Sequence, residues 1–584
     1  MTTNESQEDN MHKASSSTRR RGGISGVLEG IRTGFLATAM GAALLSGTLV
    51  TAQPALAEVP LDQLVRIVAE GGSSFTRTFN PFSPTTRWVS LRTMYEPLMI
   101  QNYATGKLDP WLGTDYKWSD DALSLTVTLR NDVKWSDGQP FTADDVVFTF
   151  NLMRDNPGLI GPASGAFGQY LKSVEAVDPT TVKFTFSTTY TPGLYSLVDQ
   201  FIVPEHVWKD VKDPVTFENA DPVGTGPFTT IDAFGTDRYQ VTQNPNYWQP
   251  LKIQGVFVQG FNGNDQVSAA VLSGNIDWGG LVPDPDTTFV PLDPEHFGYW
   301  WPRTSVVLLQ ANTTDPSLGD VNVRKAISMA LDRQRMINTG VWGKSVPANA
   351  TGLPEAPFKD WLDAKVIADG QGWVSMDPDA ANKLLDDSSY AKGPDGIRVG
   401  KDGKPLKYDI IVPSGWNDWV SASQIVAENL KDIGIDVTLR TTTADSWTNS
   451  TFTGQFQLSL GTAQRTATPF EFYRNNMATT SVKPVGTASP NNQQRYGDPK
   501  VDELLSKFAA STDASEQKAI IAELEGMFSQ AAPAIPLYEQ PDWGLYNTRR
   551  FTGFPNEKDP YAPLSLQMTN GPLLVWPHLE RRAE

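Results

Sequence analysis

The stretch that decides the fold is residues 406–440, which read LKYDIIVPSGWNDWVSASQIVAENLKDIGIDVTLR. Its first part alternates between two faces, with Tyr408, Ile410 and Val412 on one of them, the two-residue period of a β-strand. Apolar residues at helical spacing follow, and then a second alternating segment. Because a strand, a helix and a strand follow one another so closely, the stretch predicts a βαβ unit with parallel strands.

Two tryptophans lie where the first of these strands meets the helix. Trp416 and Trp419 stand in a polar loop beside Ser414, Asn417 and Asp418, on no apolar stripe. Most tryptophans are buried packing residues. However, ligands of open α/β sheets collect at the carboxyl ends of strands. We therefore expect Trp416 and Trp419 to face a ligand cleft rather than a core, with Asn417 and Asp418 beside them.

Length and composition narrow the functional classes. The chain has 584 residues, enough for two or more domains, and a formal net charge of −18. That charge disfavours nucleic acid and anionic membrane surfaces as partners. The absence of cysteine excludes disulfides, thiolate metal sites and a lipid anchor. The four histidines are far apart and show no metal-binding spacing, so we expect neither a metal nor another cofactor.

The N-terminus, residues 1–57, has the order of a signal peptide. Three arginines at 19–21 precede an uncharged apolar run at 34–50, and Ala55-Leu56-Ala57 supplies a cleavage pattern. We expect cleavage near Ala57 and a periplasmic mature protein; an uncleaved anchor is the alternative. Export by the general or the twin-arginine route is equally compatible with these residues.

A series of motifs along the rest of the chain resembles one known family. The class is that of the extracytoplasmic solute-binding proteins of ABC importers, of the oligopeptide/nickel type called family 5. The motifs occur in the family's order and cover essentially all of the mature chain. They are WSDGQPFTADDV at 135–146, GTGPF at 224–228, NPNYW at 244–248, GNIDW at 274–278, VRKAISMALDR at 323–333 and PLY at 536–538.

The resemblance implies an α/β fold of two lobes, the periplasmic-binding-protein fold of class II (cluster C) with an extra inserted subdomain. Lobes of this kind open and close around their ligand by hinge motion. Carried over to this chain, the boundaries are 58–85, 222–308 and 540–584 for lobe 1, 86–221 for the inserted subdomain, and 309–539 for lobe 2.

The ligand class follows from what the second lobe lacks. Peptide-binding relatives of this kind carry an aspartate-rich segment that pairs with the ligand's amino terminus. The corresponding residues here, 456–471, read FQLSLGTAQRTATPFE and contain no aspartate. Because an ammonium in a closed cleft needs a paired carboxylate, this sequence disfavours peptides with free amino termini. Arg465, if it points inward, would repel an ammonium further.

Sugars require a different lining. Flat aromatic rings cover the apolar faces of a pyranose, and amides and charged groups bind its hydroxyls. The chain resembles the oligosaccharide-binding branch of the family in this respect, and we expect a β-linked oligosaccharide of cellobiose-like length. The candidate ligand-binding residues are Trp416, Trp419, Asn417, Asp418, Trp300, Trp301, Asn262, Asn264, Gln464, Phe470, Tyr473, Arg77 and Asn80.

Two alternatives stay open at this point. One is an oligopeptide, dipeptide or opine binder of the same fold. The other is a secreted glycoside hydrolase, which needs two carboxylates and aromatic platforms. No residue pattern favours catalysis, so we expect a monomeric binding protein, not an enzyme, whose partner is an ABC permease in the inner membrane. Among other tryptophans, Trp135 and Trp248 are expected to pack their own motifs, Trp278 fits either role, and Trp447 has no informative context.

Overall fold

The computed structural model describes residues 59–69, 75–83, 89–568 and 570–583. The predicted signal peptide, 1–57, lies outside the described residues. Within the described ranges, no helix combines the length and the apolar character needed to cross a membrane.

The described strands, in chain order, are β1 (Val65–Ala69), β2 (Met99–Asn102), β3 (Lys107–Pro110), β4 (Gly113–Trp118), β5 (Ser124–Leu129), β6 (Leu171–Asp178), β7 (Thr181–Phe186), β8 (Phe228–Phe234), β9 (Arg238–Gln243), β10 (Gly255–Gly260), β11 (Phe297–Tyr299), β12 (Arg303–Ala311), β13 (Lys407–Pro413), β14 (Asp436–Thr442), β15 (Leu458–Thr462), β16 (Ile535–Pro541), β17 (Leu545–Asn547), β18 (Phe551–Thr552) and β19 (Glu580–Arg581).

The described α-helices are α1 (Ala143–Asp155), α2 (Ala166–Gln169), α3 (Gly193–Val198), α4 (Glu205–Trp208), α5 (Asn264–Leu272), α6 (Pro285–Thr288), α7 (Val321–Ala330), α8 (Arg333–Gly340), α9 (Glu355–Phe358), α10 (Ala364–Val374), α11 (Pro378–Asp387), α12 (Asn417–Asp432), α13 (Ala444–Phe452), α14 (Pro469–Met477), α15 (Pro499–Ala510), α16 (Ala514–Ala531) and α17 (Gly571–Val575). A short π-helix, Ser90–Met94, precedes β2.

The predicted βαβ unit is confirmed as β13, α12 and β14. The two strands pair in parallel, from Lys407 opposite Asp436 to Pro413 opposite Thr442. The chain leaves α12 through Gly434, whose φ of +77° lies in the left-handed region that favours glycine. A side chain there would also meet the carbonyl oxygen of Gly396 at 2.9 Å. Glycine therefore allows the tight return from helix to strand.

A five-stranded sheet contains this unit, in the order β14-β13-β15-β12-β16. Strand β15 pairs in parallel with β13, whereas β12 runs antiparallel to both β15 and β16. As a result, β13, β14, β15 and β16 all end at the same edge of the sheet, where β12 begins. This edge is the place at which an open sheet collects the residues that follow its strands.

Two further sheets have four strands each. One has the order β1-β10-β9-β8, and the other has the order β4-β5-β7-β6. The lobe boundaries given above remain a proposal. The boundaries at 308/309 and 539/540 would cut through β12 and β16. Keeping both strands whole, we propose that the chain changes lobes just before Arg303 and just after Pro541.

The motif at 135–146 has a structural role. Thr142 and Asp145 form a capping box at the start of α1. The Asp145 carboxylate also accepts hydrogen bonds from the Trp135 Nε1–H at 3.2 Å and from the Glu205 backbone N–H at 3.0 Å. Trp135 therefore packs its own motif, as predicted, and the motif holds α1 against the start of α4.

Candidate functional site

A cavity of about 340 Å³ lies at the edge where the four strands of the five-stranded sheet end. Its walls come from the loops and helices that follow those strands and from a second group of segments around α5 and the C-terminal region. The residues that line it are Asn264, Leu281, Trp416, Asp418, Trp419, Trp447, Gly461, Thr462, Arg465, Gln493, Gln540, Trp543 and Gln567. We refer to it as the tryptophan cavity.

Three indoles form one wall. Trp416 immediately precedes α12, Trp419 lies in its first turn, and Trp447 lies on α13. Ring centroids are 4.9 Å apart for Trp416 and Trp419, 5.5 Å for Trp416 and Trp447, and 5.6 Å for Trp419 and Trp447. The Trp447 Nε1–H donates to Ser459 Oγ at 2.9 Å, which fixes that indole to β15. The cluster thus presents rigid aromatic surface to the cavity.

A fourth indole, Trp543, comes from the segment after β16. It meets Trp301 edge to face with centroids 4.8 Å apart, and Trp342 lies 6.3 Å from it. Trp543 is 5% exposed, so the surrounding rings hold it in place. Tryptophans from three different strand ends therefore converge on one cavity.

Two amide oxygens in the lining lack partners. Gln540 is 5% exposed, and its Oε1 accepts no hydrogen bond from any described residue. The Oε1 of Gln493 is likewise buried and unpaired within the described part of the chain. A buried acceptor without a donor costs free energy, on the order of 1–3 kcal/mol. Both oxygens are therefore suited to a ligand that brings O–H or N–H donors.

Arg465 is held in place by a buried carboxylate. Its Nη2 bonds Asp542, and its Nε donates to Thr304 Oγ1 at 3.0 Å. Thr304 in turn donates to Asp542, which is fully buried. Burial raises the pKa of Asp542, and the Arg465 guanidinium opposes that rise. No described residue accepts from Nη1 of Arg465, so that nitrogen is left for a ligand or water.

Among the described residues, Asp418 is the one carboxylate that lines the tryptophan cavity. Burial raises its pKa to about 6, against smaller opposing contributions from backbone N–H groups at the start of α12. The removal of water from the carboxylate therefore outweighs the effect of the helix terminus on its pKa.

Contacts across the mouth of the cavity join α5 to the loop before α12. Asn417 Nδ2 donates to Asp265 Oδ1 at 2.8 Å. The backbones of Gly263 and Gly415 lie close together, so that a Cβ on Gly263 would be 3.6 Å from Gly415 Cα. These contacts bring the two groups of wall segments together at one end of the cavity.

A second cavity, of about 1200 Å³, shares Arg465 with the first. One of its walls comes from residues between 91 and 201, and the other comes from residues between 464 and 510. Gln464 belongs to the second wall, where it bonds both Asn475 and Asn491 at 2.9 Å. We call this cavity the outer chamber.

The structure brings several of the predicted residues together. Trp416, Trp419, Asp418 and Asn264 line the tryptophan cavity, whereas Gln464 and Phe470 line the outer chamber. Trp419 is also part of a hydrophobic core and is 5% exposed. Trp419 was expected to face a cleft rather than a core, whereas in the structure it lines the cavity and also packs in a core.

Other predicted residues do not line the tryptophan cavity. Asn417 borders it through the bond to Asp265, and Asn262 is exposed beside the Gly415 contact. Trp301 packs edge to face against Trp543, and the neighbouring Trp300 packs against a different hydrophobic core.

Three predicted residues lie elsewhere, with partners of their own. Tyr473 is fully buried and donates to the Thr351 carbonyl at 3.1 Å. Asn80 is buried and donates to the carbonyls of Pro214 and Phe217. Arg77 pairs with Asp221 on the surface. These contacts give each of the three residues a structural role outside both cavities.

Sequence reasoning did not find Trp447, Gln493, Gln540, Trp543 or Gln567. Trp447 had an available signal, because it follows β14, whose end lies beside the end of its parallel neighbour β13. For Gln540 and Trp543 no local pattern exists, since only the pairing of β16 with β12 brings them to this edge. Within the described residues, no three His, Asp or Glu side chains gather in a metal-binding arrangement.

Known proteins resemble this chain in sequence and in fold. A putative ABC transporter peptide-binding protein of Brucella ovis is 28% identical over 62% of this chain and 67% of its own length. The nickel-binding periplasmic protein of Escherichia coli is 26% identical over 62% of this chain and 68% of its own. Protein XP55 of Streptomyces lividans is 29% identical over 70% of this chain and 72% of its own.

Among solved structures, a periplasmic oligopeptide-binding protein of an oligopeptide ABC transporter from Thermotoga maritima superposes with a TM-score of 0.82. It is 24% identical and covers 89% of this chain and 100% of its own. The same protein with mannohexaose bound gives a TM-score of 0.80 at 24% identity, covering 90% and 100%. These neighbours confirm the predicted two-lobed α/β fold.

The family model for the bacterial extracellular solute-binding proteins, family 5, matches residues 107–483, more than half of the chain. The motifs, the fold and this match agree. The chain belongs to family 5 of the bacterial extracellular solute-binding proteins, the substrate-binding components of ABC transporters.

Proposed function

We propose that this protein captures a β-linked oligosaccharide of cellobiose-like length in the tryptophan cavity and delivers it to an inner-membrane permease. It acts in the periplasm, after removal of residues 1–57, as a monomer. Hinge motion between the proposed lobes closes the cavity around the sugar, and no bond is broken.

The convergence of four indoles on one cavity is the observation that carries the proposal. Trp416, Trp419 and Trp447 lie on one side, and Trp543 follows a different strand. An indole offers flat apolar area with little conformational entropy to lose, which suits the C–H faces of a pyranose. A β-1,4-linked chain is extended, so that the faces of successive sugar rings stay accessible to aromatic rings.

The polar lining supports the same ligand class. The unpaired oxygens of Gln540 and Gln493 need donors, which sugar hydroxyls supply. Arg465 Nη1 supplies donors for hydroxyl oxygens. Since Asp542 already neutralises Arg465, a bound neutral sugar leaves no new unpaired charge.

A peptide or opine is the second candidate, favoured by Asp418, which could pair with a ligand ammonium. The names of the Brucella and Escherichia coli relatives mention peptide and nickel, whereas the Thermotoga maritima neighbour has been solved with mannohexaose. We favour the sugar because Asp418 is one carboxylate among four indoles. No histidine is among the lining residues that the structure describes, so none of them offers nickel an imidazole ligand there.

Thermal shift against cellobiose, chitobiose, xylobiose and a tripeptide pool tests the proposal. A ligand present at 100 times its dissociation constant stabilises a protein by ~2.7 kcal/mol. We expect stabilisation by at least one disaccharide and none by the tripeptides. Stabilisation by the tripeptide pool alone would overturn the sugar assignment. Release of reducing sugar from a cello-oligosaccharide would instead indicate a glycoside hydrolase.

A further inference from the structure

The outer chamber has a lining unlike that of the tryptophan cavity. Its aromatic residues are tyrosines and phenylalanines rather than tryptophans, and it contains more carboxylates. Because Arg465 lines both cavities, the chamber is the neighbouring space for a ligand that extends beyond the tryptophans at Arg465. The chemistry of the chamber therefore bears on what the far end of such a ligand carries.

Asp199 is the most distinctive group in this lining. Its Oδ1 accepts a hydrogen bond from Asn570, and no described residue donates to its Oδ2. Asn570 is 7% exposed, and its own Oδ1 has no partner within the described residues. Acceptor oxygens therefore outnumber donors here. Burial raises the pKa of Asp199 to about 8, against a smaller opposing contribution from the Asn570 hydrogen bond, and no cation among the described residues compensates the carboxylate.

The remaining charges of the chamber do not supply that cation. The other carboxylates are Glu471, which accepts from Thr468 at 2.8 Å, and Asp502, which bonds Thr479. Of the two arginines in the lining, Arg465 is paired with Asp542, which lies outside it. Arg474 donates to the Tyr190 hydroxyl at 3.1 Å and forms no ion pair with a described residue. The Arg474 guanidinium nevertheless acts on Glu471, because its charge lowers the pKa of that carboxyl against the rise caused by burial. Among these carboxyl groups, Asp199 has no described cation that compensates it.

Aromatic rings on the same wall as Asp199 add to this preference. Tyr103, Tyr170, Tyr190 and Tyr195 line the chamber. Tyr103 lies within the electrostatic influence of Asp199, Glu471 and Arg465, so the ring and the carboxyl groups face a common space. A tyrosine face attracts a cation through its quadrupole, and it does so without the desolvation cost of another charge.

We propose that the outer chamber binds an ammonium group on the part of the ligand that extends past Arg465, with Asp199 and Glu471 as its counter-charges. The inference rests on the proposed function, and it specifies the ligand as an amino-sugar-containing β-linked oligosaccharide. An ammonium is also present at the amino terminus of a peptide, and the experiment below separates the two sources.

The test is calorimetric titration of the full mature chain with β-1,4-linked glucosamine tetramer, cellotetraose, cellobiose, a free tripeptide and the same tripeptide N-acetylated. We expect the glucosamine tetramer to bind about tenfold more tightly than cellotetraose. That advantage largely persists at high salt, because salt screens buried charge interactions much less than exposed ones. In a D199N/E471Q variant it disappears, while the affinity for cellobiose is retained and shows that the variant is folded. An Asp155→Asn variant, which changes an exposed carboxylate outside both cavities, keeps the advantage.

Equal affinities for glucosamine tetramer and cellotetraose would overturn the inference and leave the sugar assignment standing. Preference for the amino sugar that persists in D199N/E471Q would also overturn it. If only the free tripeptide binds, and does so through Asp199 and Glu471, the ammonium site stands and the proposed sugar function fails. Equal binding of the free and acetylated tripeptides would contradict both the ammonium site and the proposed sugar function.

Discussion

Two groups of tryptophans, three in a core and those around the tryptophan cavity, differ in how much ring surface they leave available. In one hydrophobic core, outside the cavity, Trp135, Trp278 and Trp576 are fully buried, and each indole N–H donates to an acceptor inside the protein. Around the tryptophan cavity, Trp416 is half-buried, and no described residue accepts from its ring nitrogen. The first group is fixed by packing and a hydrogen bond at once. The second keeps ring surface available.

The difference shows how one residue type can serve stability and recognition in one chain. A buried indole whose N–H is bonded contributes to folding through its area and its hydrogen bond. An indole at a strand end, supported by neighbouring rings, holds its orientation without using all of its surface. Trp419 lies between the two groups, because it packs in a core and lines the cavity.

The largest effect is expected from Trp278→Ala. Trp278 is 0% exposed and donates to the Leu564 carbonyl at 2.6 Å, so its removal leaves a cavity and an unpaired acceptor. We expect a loss of ~3–5 kcal/mol in the free energy of unfolding, measured by urea denaturation. A loss below 1 kcal/mol would show that the core tryptophans do not contribute more to stability than the cavity tryptophans.

The next effect is the pH dependence of a carboxyl anchored to core tryptophans. Glu96 is fully buried and accepts from Trp111 at 2.7 Å and from Trp248 at 3.3 Å. Burial raises its pKa to about 7. Because this folded-state pKa is above the unfolded one, its contribution to stability is complete below about pH 4.5 and is lost as pH rises through 7.

We therefore expect the melting temperature to fall between pH 5 and pH 8. Glu96 accounts for roughly 3 kcal/mol of the accompanying loss in the free energy of unfolding. Asp199 and Glu525, whose pKa values burial also raises, act in the same direction. Glu96→Gln should reduce the slope. An unchanged slope in that variant would assign the pH dependence to the other carboxyl groups.

A smaller effect on stability and a selective effect on binding are expected from Trp416→Ala. Because the ring is half-buried, we expect about 1 kcal/mol of destabilisation. Disaccharide affinity should fall by ~2 kcal/mol, the cost of removing an aromatic anchor. Trp361→Ala, which removes another half-buried indole outside the cavity lining, is the matched control and should leave affinity unchanged. Equal losses of affinity in both variants would contradict the assigned site.

The smallest effect is expected from Asn417→Ala. It removes the exposed bond to Asp265 across the mouth of the cavity, and a bond of this kind contributes about 0.5–1.5 kcal/mol. We expect disaccharide affinity to fall about threefold, through faster dissociation in stopped-flow measurements. Gln424→Ala, an exposed change on the same helix, is the control. If both variants release ligand at the wild-type rate, the bond does not contribute to closure.

Local patterns were sufficient for part of this structure. Alternation and helical spacing predict β13, α12 and β14, and the rule on strand ends places Trp416 in a cavity. Tyr473, a predicted ligand-binding residue, lies on α14 with its ring buried in a hydrophobic core. The face of the helix that a residue occupies decides this burial, and the residue type alone does not reveal it.

The rest of the cavity depends on pairings between distant segments. Trp543 and Gln540 reach it because β16 pairs with β12, some 230 residues earlier in the chain. Asn264 reaches it from α5, across from the loop that contains Gly415. The orphaned oxygen of Gln540 is likewise invisible in the sequence, since it results from the surroundings that these pairings create.

Calorimetric titration of the mature wild-type protein with cellobiose, beside a free tripeptide, tests the central claim most directly. We expect a single saturable site for the disaccharide that is weakened by ~2 kcal/mol in Trp416→Ala and unchanged in Trp361→Ala, with no heat from the tripeptide. Binding of the tripeptide alone, or disaccharide binding that survives Trp416→Ala unchanged, would contradict the assignment of the tryptophan cavity as a sugar site.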